Sequence, residues 1–145
     1  MKFLKKIKFL VVHHSQKEDD SLERIKNFHV NERKWEDIGY HYIIDKKGKL
    51  HKAREEKFIG AHVFGFNRES LGICLLGNLD KEIPTKNQIK TLVKLLIKKA
   101  KENKISSKNI LGHREFPGVT KTCPGKLVNM NEIRKKVKEH FSTKS

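Results

Sequence analysis

The chain has 145 residues, and its 33 lysines and arginines against 17 aspartates and glutamates give a formal net charge of +16. This length fits one domain that can bury a hydrophobic core, while two cysteines exclude a disulfide-rich scaffold. No uncharged apolar stretch is long enough to cross a bilayer. The charge favours anionic partners such as nucleic acid, acidic membranes or anionic wall polymers.

The first half of the chain predicts a strand, a helix and a hairpin. Residues 1–8 contain four lysines and are interpreted as a solvated lead-in to the first strand, with a cationic segment that contacts an anionic surface as the alternative. The apolar run Phe9–Val12 predicts a buried strand that ends at His13 and His14. Asp20 and Glu23 predict a capped helix over 21–33. Alternation over 40–44, a turn at 45–49 and a return over 50–53 predict a β-hairpin.

The second half predicts one buried strand and two capped helices. The apolar run Leu71–Leu76 is typical of a central strand. Thr85 and Gln88 form a capping-box pattern that begins an amphipathic helix over 85–103, and Asn129 begins a last helix over 130–141. Strands that alternate with helices predict an α/β fold, a central mixed β-sheet flanked by helices.

A glycine- and proline-rich loop at residues 112–126 is the first candidate for chemistry, since a long loop without its own helix is often functional. It contains His113 and Cys123, both zinc-type ligands, and His13 ends a predicted buried strand. Three such ligands with a fourth position open are typical of catalytic zinc. The same residues also fit a strand-end histidine bonded to the backbone and a small buried thiol, so the spacing leaves both interpretations open.

Five ordered segments carry a family resemblance. They are Val11-Val12-His13-His14-Ser15, Ile38-Gly39-Tyr40-His41-Tyr42-Ile43-Ile44, Gly60-Ala61-His62 with Gly65 and Asn67, Ser70-Leu71-Gly72-Ile73-Cys74-Leu75-Leu76-Gly77-Asn78, and Gly112-His113-Arg114-Glu115 with Thr122-Cys123-Pro124-Gly125. Together they resemble the zinc-dependent N-acetylmuramoyl-L-alanine amidases of type 2. That family includes phage lysozymes of the T7 kind and shares its fold with peptidoglycan recognition proteins. The resemblance covers residues 9–140, nearly the whole chain.

The resemblance implies a reaction and a set of site residues. The reaction is hydrolysis of the amide between N-acetylmuramic acid and L-alanine in peptidoglycan, with one zinc ion per chain. The implied residues are the metal ligands His13, His113 and Cys123, the catalytic residues Tyr40 and Lys121, and the substrate contacts His62 and Asn67. Arg54, expected at the surface, is added as a substrate contact at the cleft rim. His14 and His41 are expected not to bind metal, Cys74 to be an inert buried thiol, and His29, His51 and His140 to lie at the surface.

The resemblance also sets expectations for biology. Residues 1–145 are expected to be one catalytic domain without a separate cell-wall-binding domain, acting as a monomeric, bacteriolytic phage-type endolysin on peptidoglycan. Anionic cell-envelope polymers are further expected partners through the basic surface. The protein is expected to be made in the cytoplasm without a signal peptide and to reach the wall by a holin-type route or from outside.

Two alternatives stay open. The first is a peptidoglycan-binding module of the same fold without turnover, although non-catalytic members often lack the cysteine ligand that this chain keeps. The second is a nucleic-acid-binding protein, which rests on charge alone and has no recognisable nucleic-acid-binding signature.

Overall fold

The structure is a computed structural model, and it describes residues 1–143. One mixed five-stranded sheet lies at its centre, with the strand order β3-β2-β4-β1-β5. The strands are β1 (Phe9–His14), β2 (Tyr42–Ile44), β3 (Leu50–Lys52), β4 (Ser70–Leu75) and β5 (Ile110–Gly112). Strands β2, β4, β1 and β5 run parallel, and β3 adds an antiparallel edge through the predicted hairpin. The predicted fold class is confirmed.

Burial on both faces of the sheet explains the sequences of the two central strands. Every residue of β4 is buried, and β1 is buried from Leu10 onward. Strands covered on both faces have continuous apolar runs instead of an alternating pattern. This burial explains the apolar composition of Leu71–Leu76 and Phe9–Val12, from which strands are predicted.

Within residues 1–143, three α-helices flank the sheet. They are α1 (Leu22–Asn27), α2 (Lys86–Asn103) and α3 (Met130–Thr143). The predicted capping box of α2 is present, with the Thr85 hydroxyl accepting from the Gln88 N–H and the Gln88 side chain accepting from the Thr85 N–H. The cap predicted for α1 is wrong. Ser21 is the N-cap, because the Asp20 carboxylate pairs with the guanidinium of Arg24 instead.

The two faces of the sheet have different roles. Leu10 and Val12 belong to the main core, which also contains Leu92 and Leu96 of α2 and Ile133 of α3. Because side chains alternate along a strand, the residues between them face the other way. Val11 packs in a separate small cluster with Val63 and Phe116. His13, next in that alternation, lies on this second face, where a cleft opens at the carboxyl ends of the strands.

The basic segment at residues 1–8 is tied to the fold. The N–H of Leu4 donates to the carbonyl of Lys57, and the N–H of Ile59 donates to the carbonyl of Lys2. Phe3 stacks on Phe58 with ring centroids 5.4 Å apart, while remaining 65% exposed. Across residues 1–143, no helix combines the length and the apolar character needed to cross a membrane.

Candidate metal centre

Two histidines meet because of the register between β1 and β5. In this parallel pair Val12 lies opposite Gly112, the last residue of β5, so His13 and His113, which come directly after them, lie side by side. Their ring centroids are 4.8 Å apart. Carboxyl ends of neighbouring parallel strands are a common place for binding groups. The strands alone therefore bring together residues that are one hundred positions apart.

The third member, Cys123, is held in place by Arg114. The N–H of Arg114 donates to the Cys123 carbonyl at 2.7 Å. Its guanidinium donates to three more carbonyls of the same loop, those of Thr122 at 3.2 Å, Gly125 at 2.6 Å and Val128 at 2.7 Å. Arg114 lies in a single turn of 3-10 helix, His113–Glu115, and it satisfies backbone carbonyls of residues 116–129, which form no helix or strand.

A second anchor for this loop is the segment after β4. The Asp80 carboxylate accepts from the Thr122 hydroxyl at 2.9 Å and from the Lys126 N–H at 2.8 Å. Gly125 approaches the backbone of Leu79 so closely that a Cβ would lie 2.5 Å from the Leu79 carbonyl oxygen, and its φ is +117°. Only glycine fits both the contact and this backbone conformation.

The three side chains form a ligand set that fits a metal ion. One ligand atom from each of His13, His113 and Cys123 lies within 4.8 Å of the others. Nδ1 of His13 is 3.6 Å from Sγ of Cys123. Tetrahedral zinc with bonds of about 2.0 Å to nitrogen and 2.3 Å to sulfur places those two atoms roughly 3.5 Å apart. The donor types and this separation both fit zinc.

The electrostatics of the cluster favour neutral ligands. Burial lowers the pKa of His13 well below its usual value, and the neighbouring His62 and His113 lower it further. Burial and the ammonium of Lys121 lower the pKa of His113. Burial also raises the pKa of the Cys123 thiol to about 12. At neutral pH both imidazoles keep a free lone pair, whereas the sulfur must lose a proton to bind a cation.

The cleft above this cluster has a volume of about 770 Å³, and Tyr40 and Lys121 both line it. The ring of Tyr40 is 5.1 Å from that of His13, between centroids. Burial raises the pKa of Tyr40 well above its usual value, and the neighbouring Cys74 thiol adds to this. Lys121 is exposed, two residues from Cys123 on the same loop. The structure therefore brings together all five residues that the resemblance assigned to metal binding and catalysis.

His62 and Asn67 also border the cleft, and both ring nitrogens of His62 and the side-chain oxygen of Asn67 are bonded within the protein. Nδ1 of His62 lies 2.9 Å from Nε2 of His13, and Nε2 of His62 lies 3.2 Å from the Ser70 hydroxyl. The side-chain oxygen of Asn67 accepts from the N–H groups of His62 and Val63, both at 2.9 Å.

Arg54 is not at the cleft, and its placement at the surface was wrong. Arg54 is 7% exposed, and its guanidinium donates to three carbonyls. The acceptors are Ile38 at 2.8 Å, Ile59 at 2.6 Å and Asp37 at 2.9 Å. These three hydrogen bonds are structural, and Arg54 does not line the cleft, so the geometry gives no support to the expected contact with substrate.

Three further histidines, His14, His29 and His41, are buried and bonded within the protein. His41 is structural, with Nδ1 accepting from the Gly72 N–H and Nε2 next to the Phe58 carbonyl. His14 turns away from the cluster and accepts from the Leu79 N–H at 3.0 Å. His29 was expected at the surface but is 8% exposed, and its Nδ1 accepts from the Gly39 N–H at 2.9 Å.

Comparison with known proteins agrees with this architecture. The family model described as N-acetylmuramoyl-L-alanine amidase (Amidase_2) matches residues 3–126. Peptidoglycan-recognition protein SC2 of Drosophila melanogaster is 37% identical over 114 residues, which cover 78% of this chain and 60% of that protein. The chain spans 32% to 62% of the length of the first curated relatives that it matches.

Solved structures show the same fold over most of the chain. N-acetylmuramoyl-L-alanine amidase LysC from Clostridium intestinale superimposes with a TM-score of 0.85 and 26% identity, covering 95% of this chain and 93% of that one. Peptidoglycan recognition protein-LE in complex with tracheal cytotoxin, a monomeric diaminopimelic acid-type peptidoglycan, gives a TM-score of 0.76 and 26% identity, covering 93% and 82%. The family match, the fold and the two-histidine, one-cysteine cluster agree, and the chain belongs to the type 2 N-acetylmuramoyl-L-alanine amidase family.

Proposed function

We propose that this protein is a zinc-dependent enzyme that hydrolyses the amide bond between N-acetylmuramic acid and L-alanine in peptidoglycan. The observation that carries the proposal is the convergence of His13, His113 and Cys123 on the floor of the cleft. Three protein ligands of these types leave one coordination position of zinc for a reactant. A closed, structural zinc site has four protein ligands instead.

The chain supplies the ligands and the surrounding charges. His13, His113 and Cys123 would hold the zinc ion, which would supply an activated water, with a pKa of about 7, and a Lewis acid for the carbonyl oxygen. Hydrolysis adds a hydroxyl group to the lactyl carbonyl carbon and a proton to the alanine nitrogen, and the C–N bond breaks. Each further role belongs to side chains that line the same cleft.

Lys121 and Tyr40 have complementary roles in this proposal. Lys121 places a positive charge beside His113, where it stabilises the negative charge that develops on the carbonyl oxygen. Tyr40 keeps its proton at neutral pH, since a tyrosine has an ordinary pKa of about 10 and burial raises the pKa of Tyr40 further. It therefore acts as a hydrogen-bond donor that orients the reacting groups and assists proton delivery to the leaving amine.

A non-catalytic peptidoglycan-binding module is the second candidate, favoured by the insect recognition proteins among the relatives. Purified peptidoglycan sacculi separate the two functions. The enzyme releases soluble peptides when loaded with zinc, and Cys123→Ser, which removes one thiolate ligand, abolishes the release. A binding module co-sediments with sacculi and releases nothing. Binding without release by the zinc-loaded wild type contradicts the proposal.

The basic surface offers a second contact with the cell envelope. Five lysines on α2 are exposed and repeat at intervals of four or three residues, so they line one face: Lys86, Lys90, Lys94, Lys98 and Lys101. None of the ion pairs found among residues 1–143 includes them. Like charges at this spacing destabilise a helix by about 0.2–0.5 kcal/mol per pair.

We propose that this lysine face binds an anionic wall polymer. The opposite side of α2 packs against Leu10 and Val12, on the face of the sheet away from the cleft, so both surfaces can be occupied together. The triple variant Lys90→Gln/Lys94→Gln/Lys98→Gln should slow the lysis of whole cells at low salt while soluble muropeptides are cut at the wild-type rate. Added salt should remove the difference, since the screening length is about 10 Å at 0.1 M.

The matched control removes three lysines from α3 instead, as Lys135→Gln/Lys136→Gln/Lys138→Gln. Both triple variants lower the net charge equally. If the α2 variant lyses cells no more slowly than the α3 variant, the lysine face has no special role and only net charge matters.

We further propose that the protein acts as a phage-type endolysin, synthesised in the cytoplasm and delivered to the wall by a holin-type route. This part rests on the family resemblance alone. Expression with and without a holin tests it, because lysis that does not depend on the holin contradicts this route.

A further inference from the structure

A line of hydrogen bonds runs from the candidate metal ligand His13 into the protein. Nε2 of His13 lies 2.9 Å from Nδ1 of His62, and Nε2 of His62 lies 3.2 Å from the Ser70 hydroxyl oxygen. The Ser70 hydroxyl lies 2.8 Å from the Phe66 carbonyl oxygen, where the line ends. Ser70 is fully buried at the start of β4, so the terminus is shielded from water.

The direction of every bond follows from its last member. A carbonyl oxygen can only accept, so the single hydroxyl proton of Ser70 is donated to Phe66. The hydroxyl oxygen must then accept from Nε2–H of His62. A neutral imidazole has one N–H, which leaves Nδ1 of His62 as an acceptor. That nitrogen in turn accepts from Nε2–H of His13.

The consequence falls on the other nitrogen of His13. With its proton on Nε2, the ring has a lone pair on Nδ1, and Nδ1 is the atom 3.6 Å from the Cys123 sulfur. We propose that His62 and Ser70 are positioning residues that hold His13 in the tautomer whose Nδ1 faces the metal. This inference rests on the proposed function in one respect, that the three-residue cluster binds zinc.

The surroundings of His62 hold its ring in one orientation. A Cβ at Gly72 would lie 2.6 Å from Cγ of His62, so the absence of a side chain on β4 provides the space for the ring. Asn67 fixes the backbone on the other side by accepting from the N–H groups of His62 and Val63. Partners that orient a ligating histidine typically change metal affinity by about 10–100-fold when they are removed.

Two nearly isosteric substitutions test the inference. His62→Leu removes the acceptor for Nε2–H of His13, while His62→Asn leaves a carbonyl oxygen that can occupy the position of Nδ1. Both variants lose the same ring, so a pure packing role predicts equal effects. Competition with a chromophoric chelator should show zinc affinity reduced by about 10–100-fold in His62→Leu and largely restored in His62→Asn. Equal affinities in the two variants, or wild-type affinity in His62→Leu, overturn the inference.

The tautomer can also be read directly. Long-range proton–nitrogen NMR correlations on the zinc-free, ¹⁵N-labelled protein should show the His13 proton on Nε2 in the wild type and a mixture of tautomers in His62→Leu. A proton on Nδ1 of His13 in the wild type overturns the inference. Failure of the proposed function looks different: a wild type that binds zinc and has the expected tautomer, but releases no product from peptidoglycan, leaves the positioning role intact.

Discussion

Acidification should destabilise the fold partly through His29. This side chain is buried, accepts from the Gly39 N–H, and packs against Trp35 and Tyr40 with centroid distances of 4.5 and 5.6 Å. Burial lowers its pKa to about 4, and the charges of Arg33, Arg54 and Arg24 contribute in the same direction. An unfolded chain has no such environment, so its His29 titrates near 6.5.

The sign and size follow from that difference. Between pH 6.5 and pH 4 the His29 side chain is protonated in the unfolded state but not in the folded state. The contribution of His29 to the free energy of unfolding is therefore full above pH 6.5 and falls as the pH approaches 4. With the folded pKa at about 4, His29 accounts for roughly 2 kcal/mol of lost stability between pH 8 and pH 5. This is a large share of the stability of an ordinary domain, which is about 5–15 kcal/mol.

His29→Asn isolates this contribution. Its amide oxygen can accept the Gly39 N–H, but it cannot take up a proton, while the other histidines titrate as before. Urea unfolding at pH 8 and pH 5 should show that the wild type loses about 2 kcal/mol more than the variant over this interval. Parallel losses in the two proteins refute the reasoning, because His29 would then titrate equally in the folded and unfolded states.

Other changes separate the roles of particular residues. Arg54→Met should lower the free energy of unfolding in urea by about 3 kcal/mol or more, because three carbonyls lose a charged donor. Turnover per folded molecule should persist in this variant. A loss of turnover without a loss of stability contradicts a structural role for Arg54. Gly72→Ala should weaken zinc binding in a chelator competition, because the new Cβ displaces His62; unchanged affinity contradicts this. Lys121→Ala and Tyr40→Phe should retain zinc by elemental analysis while turnover falls, by about 100-fold or more for Lys121; full turnover removes that residue from the mechanism.

Local signals in the sequence were sufficient for some elements. Thr85 and Gln88 make a reciprocal cap within four residues, so the start of α2 could be predicted correctly. The cap of α1 could not, because Asp20 has a competing partner in Arg24. The predicted helix over 21–33 is α-helical only to Asn27, after which a π-helical segment covers Phe28–Glu32. His29 lies four residues after the buried Ile25, so helical spacing places both side chains on the inward face.

The candidate site depended on information beyond local sequence. His13 and His113 meet through strand register, and no spacing rule spans one hundred residues. The family resemblance supplied their grouping with Cys123. The resemblance did not predict the role of Arg114, because that role depends on loop carbonyls that come together only in the folded protein. The one indication in the sequence was that Arg114 is adjacent to His113. Arg54 was misplaced because a charged residue after a hairpin usually lies at the surface.

The position of oxygen incorporation tests the proposed reaction most directly. Peptidoglycan digested by the zinc-loaded protein in ¹⁸O-labelled water can be analysed by mass spectrometry, with Cys123→Ser as the control. Amide hydrolysis predicts one ¹⁸O atom in the new lactyl carboxylate of N-acetylmuramic acid, together with peptides that begin at a free L-alanine amine. Label found only at new reducing sugar ends, or no cleavage by the zinc-loaded wild type, would contradict the assignment.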